Sequence, residues 1–258
     1  MKTIHNPDQY MNDLRQILAQ GRKRLGFLIG AGAPASILVD PKTGSLSNSG
    51  QSLIPTIAVL TQRVVDGLDI NQRGVVDAIK KDIGNDPNIE QILSRVRLLS
   101  DALGKNQVAG LDSSGYKKLD LDICSGIGKL VSVTLPKEQT PFAELAGWIG
   151  GIPRDHPIEI FTSNYDLLIE EAFERARIPY FDGFSGSREP FFDPATITNA
   201  DLPARWARVW KLHGSIGWDE NDDGEIVRGK GTSATRLIYP THLKYDQTQK
   251  LPYAALID

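Results

Sequence analysis

The chain has 258 residues, 40% of them hydrophobic and 24% charged, with a formal net charge of −3, which is typical of one large globular domain or a domain with an insertion. The negative net charge argues against direct nucleic-acid binding. The apolar segments of the sequence are too short to form a transmembrane helix. A single cysteine, Cys124, excludes an intrachain disulfide and a zinc site of four cysteines within the chain; with no signal-peptide core in the first residues, we expect a cytoplasmic location.

The first fifty residues predict a helix, a strand and a glycine-rich turn. Apolar residues at helical spacing indicate a helix over residues 8–20, with Asp8 as a cap and Gly21 as its end. Residues 25–29 form a short apolar run typical of a buried strand. Residues 30–33 are the turn after it, and the composition of residues 40–52 predicts a loop.

A long helical pattern follows from residue 53 to about residue 135. One helix is expected between Asn88 as N-cap and Gly104 as stop. Residues 105–115 are a polar break before a second helix over 116–135, and residues 142–149 form another amphipathic stretch. We interpret residues 53–150 as a helical insertion packed on a sheet.

Strand patterns return in the last hundred residues. We expect strands at 158–162, 209–212 and 236–239, a helix over 166–176, a loop over the site at 182–205 and a hairpin turn at 221–224. The predicted fold is α/β, a Rossmann-like doubly wound parallel sheet with a large helical insertion, in one domain over 1–258. Residues 249–258 look like the start of a helix without a stop, so we expect the polypeptide to be C-terminally incomplete.

The first candidate site is the turn Gly30-Ala31-Gly32-Ala33. Glycines after an apolar strand let the backbone approach a pyrophosphate closely, and a helix after the turn would add N–H groups for an anion. Pro34 removes one such donor. A tight turn without a ligand explains the same residues equally well.

The second candidate site is the polar run Thr162-Ser163-Asn164-Tyr165-Asp166, which follows a predicted strand. Thr, Asn and Asp all cap helices well, and Asp166 is a good candidate for that role. One cap is enough, however, and a carboxamide such as Asn164 both donates and accepts, which suits a ribose hydroxyl or a water.

The third candidate is His213, which ends a strand and is followed by Gly214. A histidine is a suitable general base at neutral pH, although a lone histidine is more often structural. His5, His156 and His242 lie in less informative contexts. The acidic turn around Asp222 is better explained as a solvated hairpin than as a metal site, so we predict no metal.

Taken together, the three motifs resemble the sirtuin-like family, whose members carry a Gly-Ala-Gly turn, a Thr-x-Asn-Tyr/Ile-Asp motif and a Leu-His-Gly motif in this order. The likeness is greatest to bacterial sirtuin-like proteins of antiphage defence, which have Asn-Tyr-Asp in place of Asn-Ile-Asp. Residues 88–93 and 238–245 also look like theirs. The chain departs from the family in its missing closing strand, in Pro34-Ala35 before Ser36, and in lacking the deacetylases' four zinc cysteines.

This resemblance implies an NAD+ hydrolase that uses NAD as its substrate, needs no zinc and depletes the cofactor during infection. Asn164 and His213 would then be catalytic. The residues expected to bind NAD are Gly30, Ala31, Gly32, Ala33, Ser36, Thr162, Asp166, Gly214 and Ser215.

Two other functions compete with hydrolysis. One is a module that senses NAD or ADP-ribose within a defence complex, and the less favoured one is an NAD-dependent protein deacylase. We also expect a homo-oligomer whose activity is gated by a partner protein or by a missing C-terminal domain, such as an ATPase or translocase, a nuclease or a sensor.

Overall fold

The computed structural model describes residues 6–198, 202–223 and 225–229. Its N-terminal part contains helix α1, strand β1, the one-turn helix α2 and a two-stranded antiparallel pair, β2 and β3. Their bounds are Pro7–Ala19 (α1), Gly26–Ile29 (β1), Gly32–Ala35 (α2), Leu38–Val39 (β2) and Gln51–Ser52 (β3). The predicted first helix and strand are therefore confirmed.

The caps of α1 differ from the predicted ones. Asn6 is the N-cap, and its side chain accepts hydrogen bonds from the backbone N–H groups of Asp8 and Gln9. Pro7 occupies the first helical position, where its fixed φ favours the helix, so the helix begins before Asp8. At the other end the C-cap is Gln20 rather than Gly21.

Five helices separate β3 from the next strand. They are α3 (Ile57–Asp66), α4 (Ile70–Ile83), α5 (Ile89–Leu103), α6 (Ser113–Val131) and α7 (Pro141–Gly151). Helix α5 begins and ends at the predicted residues, because Asn88 forms a reciprocal capping box with Gln91 and Gly104 takes a φ of 55°. Helices α5 and α6 pack together through side chains such as Val96 and Ile123, both fully buried.

The C-terminal part alternates short strands with two helices. Its elements are β4 (Glu159–Thr162), α8 (Leu168–Arg175), β5 (Tyr180–Phe181), β6 (Phe184–Ser185), β7 (Phe191–Phe192), α9 (Pro194–Thr198), β8 (Ala207–Lys211), β9 (Trp218–Glu220) and β10 (Ile226–Arg228).

The prediction of a loop over 182–205 was wrong. This stretch contains β6, β7 and α9, and β6-β7-β10-β9 form a second, antiparallel sheet. Two-residue strands between Gly, Pro and Asp carry too little periodicity to be recognised. The sheet is held by a small aromatic cluster in which Trp218 contacts Phe184 and Phe192. The predicted hairpin is confirmed, since β9 pairs with β10.

The main sheet is parallel, in the order β1-β4-β8-β5, and helices flank it. The predicted α/β, Rossmann-like architecture is thus confirmed. The strand expected at 236–239, the helix start at 249–258 and His242 lie outside the described residues. Within the described ranges, every helix is too short or too polar to cross a bilayer.

Candidate functional site

Three strand ends meet at one edge of the parallel sheet. Strand β4 lies between β1 and β8, with Ile29 beside Thr162 and Thr162 beside Lys211 in the register. Neighbouring strands are about 4.8 Å apart, so the segments after β1 and β8 lie on either side of the segment after β4. Open parallel sheets bind their ligands at this carboxyl edge. The structure therefore brings the three predicted motifs together.

The turn after β1 is compact and open toward solvent. The N–H of Ala33 donates to the carbonyl of Gly30 at 3.1 Å, and the Ser36 hydroxyl donates to the carbonyl of Ala33 at 2.8 Å. Helix α2 spans four residues, so the extended helix that would supply an N-terminal anion site is not formed here. Gly30, Ala31, Gly32 and Ser36 are all exposed.

Neither Gly30 nor Gly32 is required by the fold itself. Neither has a positive φ, and a Cβ built on either would meet no described atom within 4 Å. The missing side chains leave open space in front of the backbone, which is the space that a phosphate group of a ligand needs for close approach.

Thr162 and Asn164 join the ends of β1 and β4. The buried hydroxyl of Thr162 donates to the carbonyl of Ile29 at 2.8 Å and accepts from the backbone N–H of Asn164 at 3.0 Å. The side-chain Nδ2 of Asn164 donates to the carbonyl of Gly30 at 3.1 Å. Among the described residues this is the hydrogen bond that the side-chain amide makes, and its oxygen and second N–H have the capacity to accept and donate further bonds.

Tyr165 and Asp166 connect the motif to the helices around it. The carboxylate of Asp166 accepts from the N–H of Leu168, the first residue of α8, at 3.1 Å. The N-cap of this helix is Leu167, so the predicted capping position of Asp166 was wrong by one residue. Burial raises the pKa of Asp166, and the nearby Lys211 ammonium opposes this effect. The Tyr165 hydroxyl donates to Glu90 of α5 at 3.3 Å. Helix α5 therefore supplies a carboxylate near the carboxyl edge of the parallel sheet. The sequence pattern did not indicate this contribution.

The turn after β8 contains His213, Gly214 and Ser215. His213 is half-buried, and Gly214 has a φ of 91°, which strongly favours glycine. The buried hydroxyl of Ser215 accepts from the N–H of Gly217 at 3.1 Å, so it supports the turn. The N–H of Ile216 donates to the carbonyl of Tyr165 at 3.0 Å, which ties this turn to the Asn164 segment.

Lys211 and Glu170 form a buried ion pair beneath these segments, with 3.0 Å between Lys211 Nζ and Glu170 Oε1. Their side chains are 2% and 6% exposed. Burial raises the pKa of Glu170, while the attraction of Lys211 lowers it less strongly. Sequence reasoning missed both residues. One signal was present: Val209 lies two positions before Lys211, on the same face of β8, and an apolar residue there indicates a buried face.

A cavity of about 310 Å³ lies beside α8, lined among others by Leu167, Glu170 and Tyr180. Its lining in the described part of the chain includes neither Asn164 nor His213. We place the candidate site at the carboxyl edge of the sheet, because open parallel sheets bind ligands in a crevice there.

Comparison with known proteins gives one match to a family model. Residues 158–254 match the family model described as SIR2-like domain. This segment of the chain is therefore similar to a SIR2-like domain. It begins at β4 and includes both the Asn164 and the His213 motifs, whereas the Gly30 turn precedes it. SIR2-like domains bind NAD.

No curated protein matches the chain. In the ranges that the structure describes, no group of three or more His, Cys, Asp or Glu side chains is placed to hold a metal ion; the expected independence from zinc stays a prediction.

Proposed function

We propose that the chain is an NAD+ hydrolase that cleaves the bond between nicotinamide and ribose and releases nicotinamide and ADP-ribose. The observation that carries the proposal is the position of Asn164. Its amide is anchored to Gly30 at 3.1 Å, at the carboxyl edge of the sheet, within a segment that matches the SIR2-like domain.

Cleavage of the bond between nicotinamide and ribose requires few catalytic groups. Nicotinamide departs as a neutral group from a positively charged ring nitrogen, so no general acid is required. The transition state resembles an oxocarbenium ion, with positive charge spread over the ribose. The site must orient the ribose, stabilise that charge and deliver water to the anomeric carbon.

The residues at the strand ends have the chemical types for these tasks. In our proposal the amide oxygen and second N–H of Asn164 hold the attacking water or a ribose hydroxyl beside the breaking bond. His213 accepts the proton that the water or hydroxyl loses. Asp166 supports this arrangement from behind, because its carboxylate is occupied by the first turn of α8.

The Gly30 turn is assigned to the pyrophosphate. Its backbone is exposed, and the glycines at 30 and 32 leave room for close approach. Because α2 is a single turn, we attribute phosphate binding to the backbone of residues 30–33 and to the Ser36 hydroxyl rather than to a helix dipole.

The biological role in this proposal follows the motif resemblance. Hydrolysis would deplete NAD in an infected bacterium, and a gate would be required because a free NAD hydrolase harms its host. Self-association or a partner protein would supply that gate.

The proposal is tested with purified protein, NAD and chromatography for nicotinamide and ADP-ribose. Asn164→Ala and His213→Ala should each remove turnover, by about 10²–10⁴-fold for loss of a positioned base, while thermal unfolding remains cooperative. Asn12→Ala and His156→Ala are matched controls outside the site, and both should keep wild-type activity.

Three results would contradict parts of this proposal. Near-wild-type turnover in both site variants would refute the residue assignment. Binding of NAD by the wild type without any nicotinamide release would replace the hydrolase by a sensor. Release that requires an acylated lysine peptide would identify a deacylase instead.

A further inference from the structure

The ammonium of Lys211 is almost completely buried and has three acceptors. It donates to the backbone carbonyls of Asp166 and Asn164, the latter at 3.5 Å, and pairs with Glu170 at 3.0 Å. An ammonium has three N–H donors, so its hydrogen-bonding capacity is matched by these three groups. Two of the three acceptors belong to the main chain of the segment that carries Asn164.

Packing alone does not require a charge at this position. Moving an ammonium out of water costs several kcal/mol, and apolar side chains of similar volume usually fill such sites at least as well. Val209, on the same face of β8, shows that apolar packing suits this face. What a methionine or leucine could not do is hold two backbone carbonyls.

We propose that Lys211 is a positioning residue for the hydrolytic site: its ammonium fixes the carbonyls of Asn164 and Asp166 and thereby aims the Asn164 side chain into the crevice. This inference rests on the proposed function for its effect on turnover. Lys211 acts through Asn164 and contacts no reacting atom in this scheme.

The contacts around Asn164 show what the ammonium adds. Its N–H is held by Thr162 and its side-chain Nδ2 by Gly30. The carbonyl, the remaining polar group of its backbone, is held by Lys211. Without the ammonium, the carbonyls of residues 164 and 166 lose a shared anchor, and the segment is held less rigidly by its remaining bonds to Thr162, Gly30 and Ile216.

Glu170 has a separate task in this arrangement. It lies in α8, directly behind the segment, and supplies the negative charge that a buried ammonium needs. Its second oxygen, Oε2, is buried without a hydrogen-bond partner in the described residues. Glu170 thus compensates the buried positive charge, whereas Lys211 makes the contacts to the segment.

The test compares Lys211→Met with the double variant Lys211→Met/Glu170→Met. The single variant leaves the Glu170 carboxylate buried without its partner and should unfold at a markedly lower temperature. The double variant removes both charges with side chains of similar volume, so its unfolding temperature should return to near the wild-type value.

The kcat of the folded variants distinguishes a positioning role of Lys211 from a purely stabilising one. If Lys211 positions Asn164, the folded double variant should keep a kcat about 10²-fold below wild type, with KM for NAD little changed because the Gly30 turn is intact. Glu170→Gln should retain most of the wild-type kcat, since Lys211 still holds both carbonyls. A double variant with wild-type unfolding temperature and wild-type kcat would overturn the proposal.

A second readout does not depend on hydrolysis. In ¹⁵N-labelled wild-type protein, the side-chain amide of Asn164 should be rigid on the fast timescale, and it should become mobile in the double variant. If the wild type releases no nicotinamide, the proposed function fails, yet this measurement still decides the role of Lys211. An equally rigid Asn164 amide in both proteins would refute it.

Discussion

Replacing Thr162 with valine tests whether the crevice is held together as described. The hydroxyl of Thr162 bridges the carbonyl of Ile29 and the N–H of Asn164, at 2.8 and 3.0 Å, and the residue is 2% exposed. Valine has nearly the same shape but leaves both backbone groups without this partner. Each buried group deprived of its partner costs about 1–3 kcal/mol.

We therefore expect Thr162→Val to lower the free energy of unfolding by about 3 kcal/mol, which for a chain of this size lowers Tm by roughly 6–12 °C. Thr162→Ser keeps the hydroxyl and removes one methyl group, at a cost of about 1 kcal/mol. Denaturant unfolding measures both variants, and NAD turnover should be lost in Thr162→Val but kept in Thr162→Ser. A valine variant as stable and active as the serine variant would refute the bridge.

Two other predictions address the turn and the buried ion pair. Gly32→Ala should leave the free energy of unfolding unchanged or raise it by about 0.5–1 kcal/mol, because a Cβ there meets open space and alanine favours helix. The same variant should raise the KM for NAD about tenfold, since the added methyl group occupies the space assigned to the phosphate. An unchanged KM in steady-state kinetics would exclude the turn from NAD binding. Burial raises the pKa of Glu170 above its usual 4.5, and Lys211 and Asp166 are its charged neighbours. The protonated carboxyl group therefore stabilises the folded state. This contribution is fully present below pH 4.5 and is lost as the pH rises through the pKa of the folded state. The unfolding temperature of Glu170→Gln relative to wild type should accordingly increase from about pH 4 to about pH 8, and a constant difference would contradict the raised pKa.

The sequence predicts α5 and the ends of the main parallel strands, because these depend on local signals. Apolar periodicity with Asn88 and Gly104 at the ends is enough to define α5. Apolar runs that end in small and polar residues are enough to identify the carboxyl ends of β1, β4 and β8.

Contacts between elements were beyond sequence reasoning. The Lys211–Glu170 pair and the Tyr165–Glu90 hydrogen bond join residues on different elements, and no spacing rule within one helix or strand relates them. The antiparallel sheet was missed because its strands are only two or three residues long.

The parallel sheet has a consequence for the order in which the molecule becomes functional. Thr162 bonds to a carbonyl 133 positions earlier, and Lys211 reaches back 47 positions to Asn164. Chains emerge from the ribosome N-terminus first, and pairings between distant residues form late because the closure of long loops is slow. Helices α3 to α7 precede β4 in the chain, so they are synthesised while the site still lacks β8. If the proposed hydrolysis is correct, it cannot begin until translation has passed residue 213, so the topology itself would delay the activity.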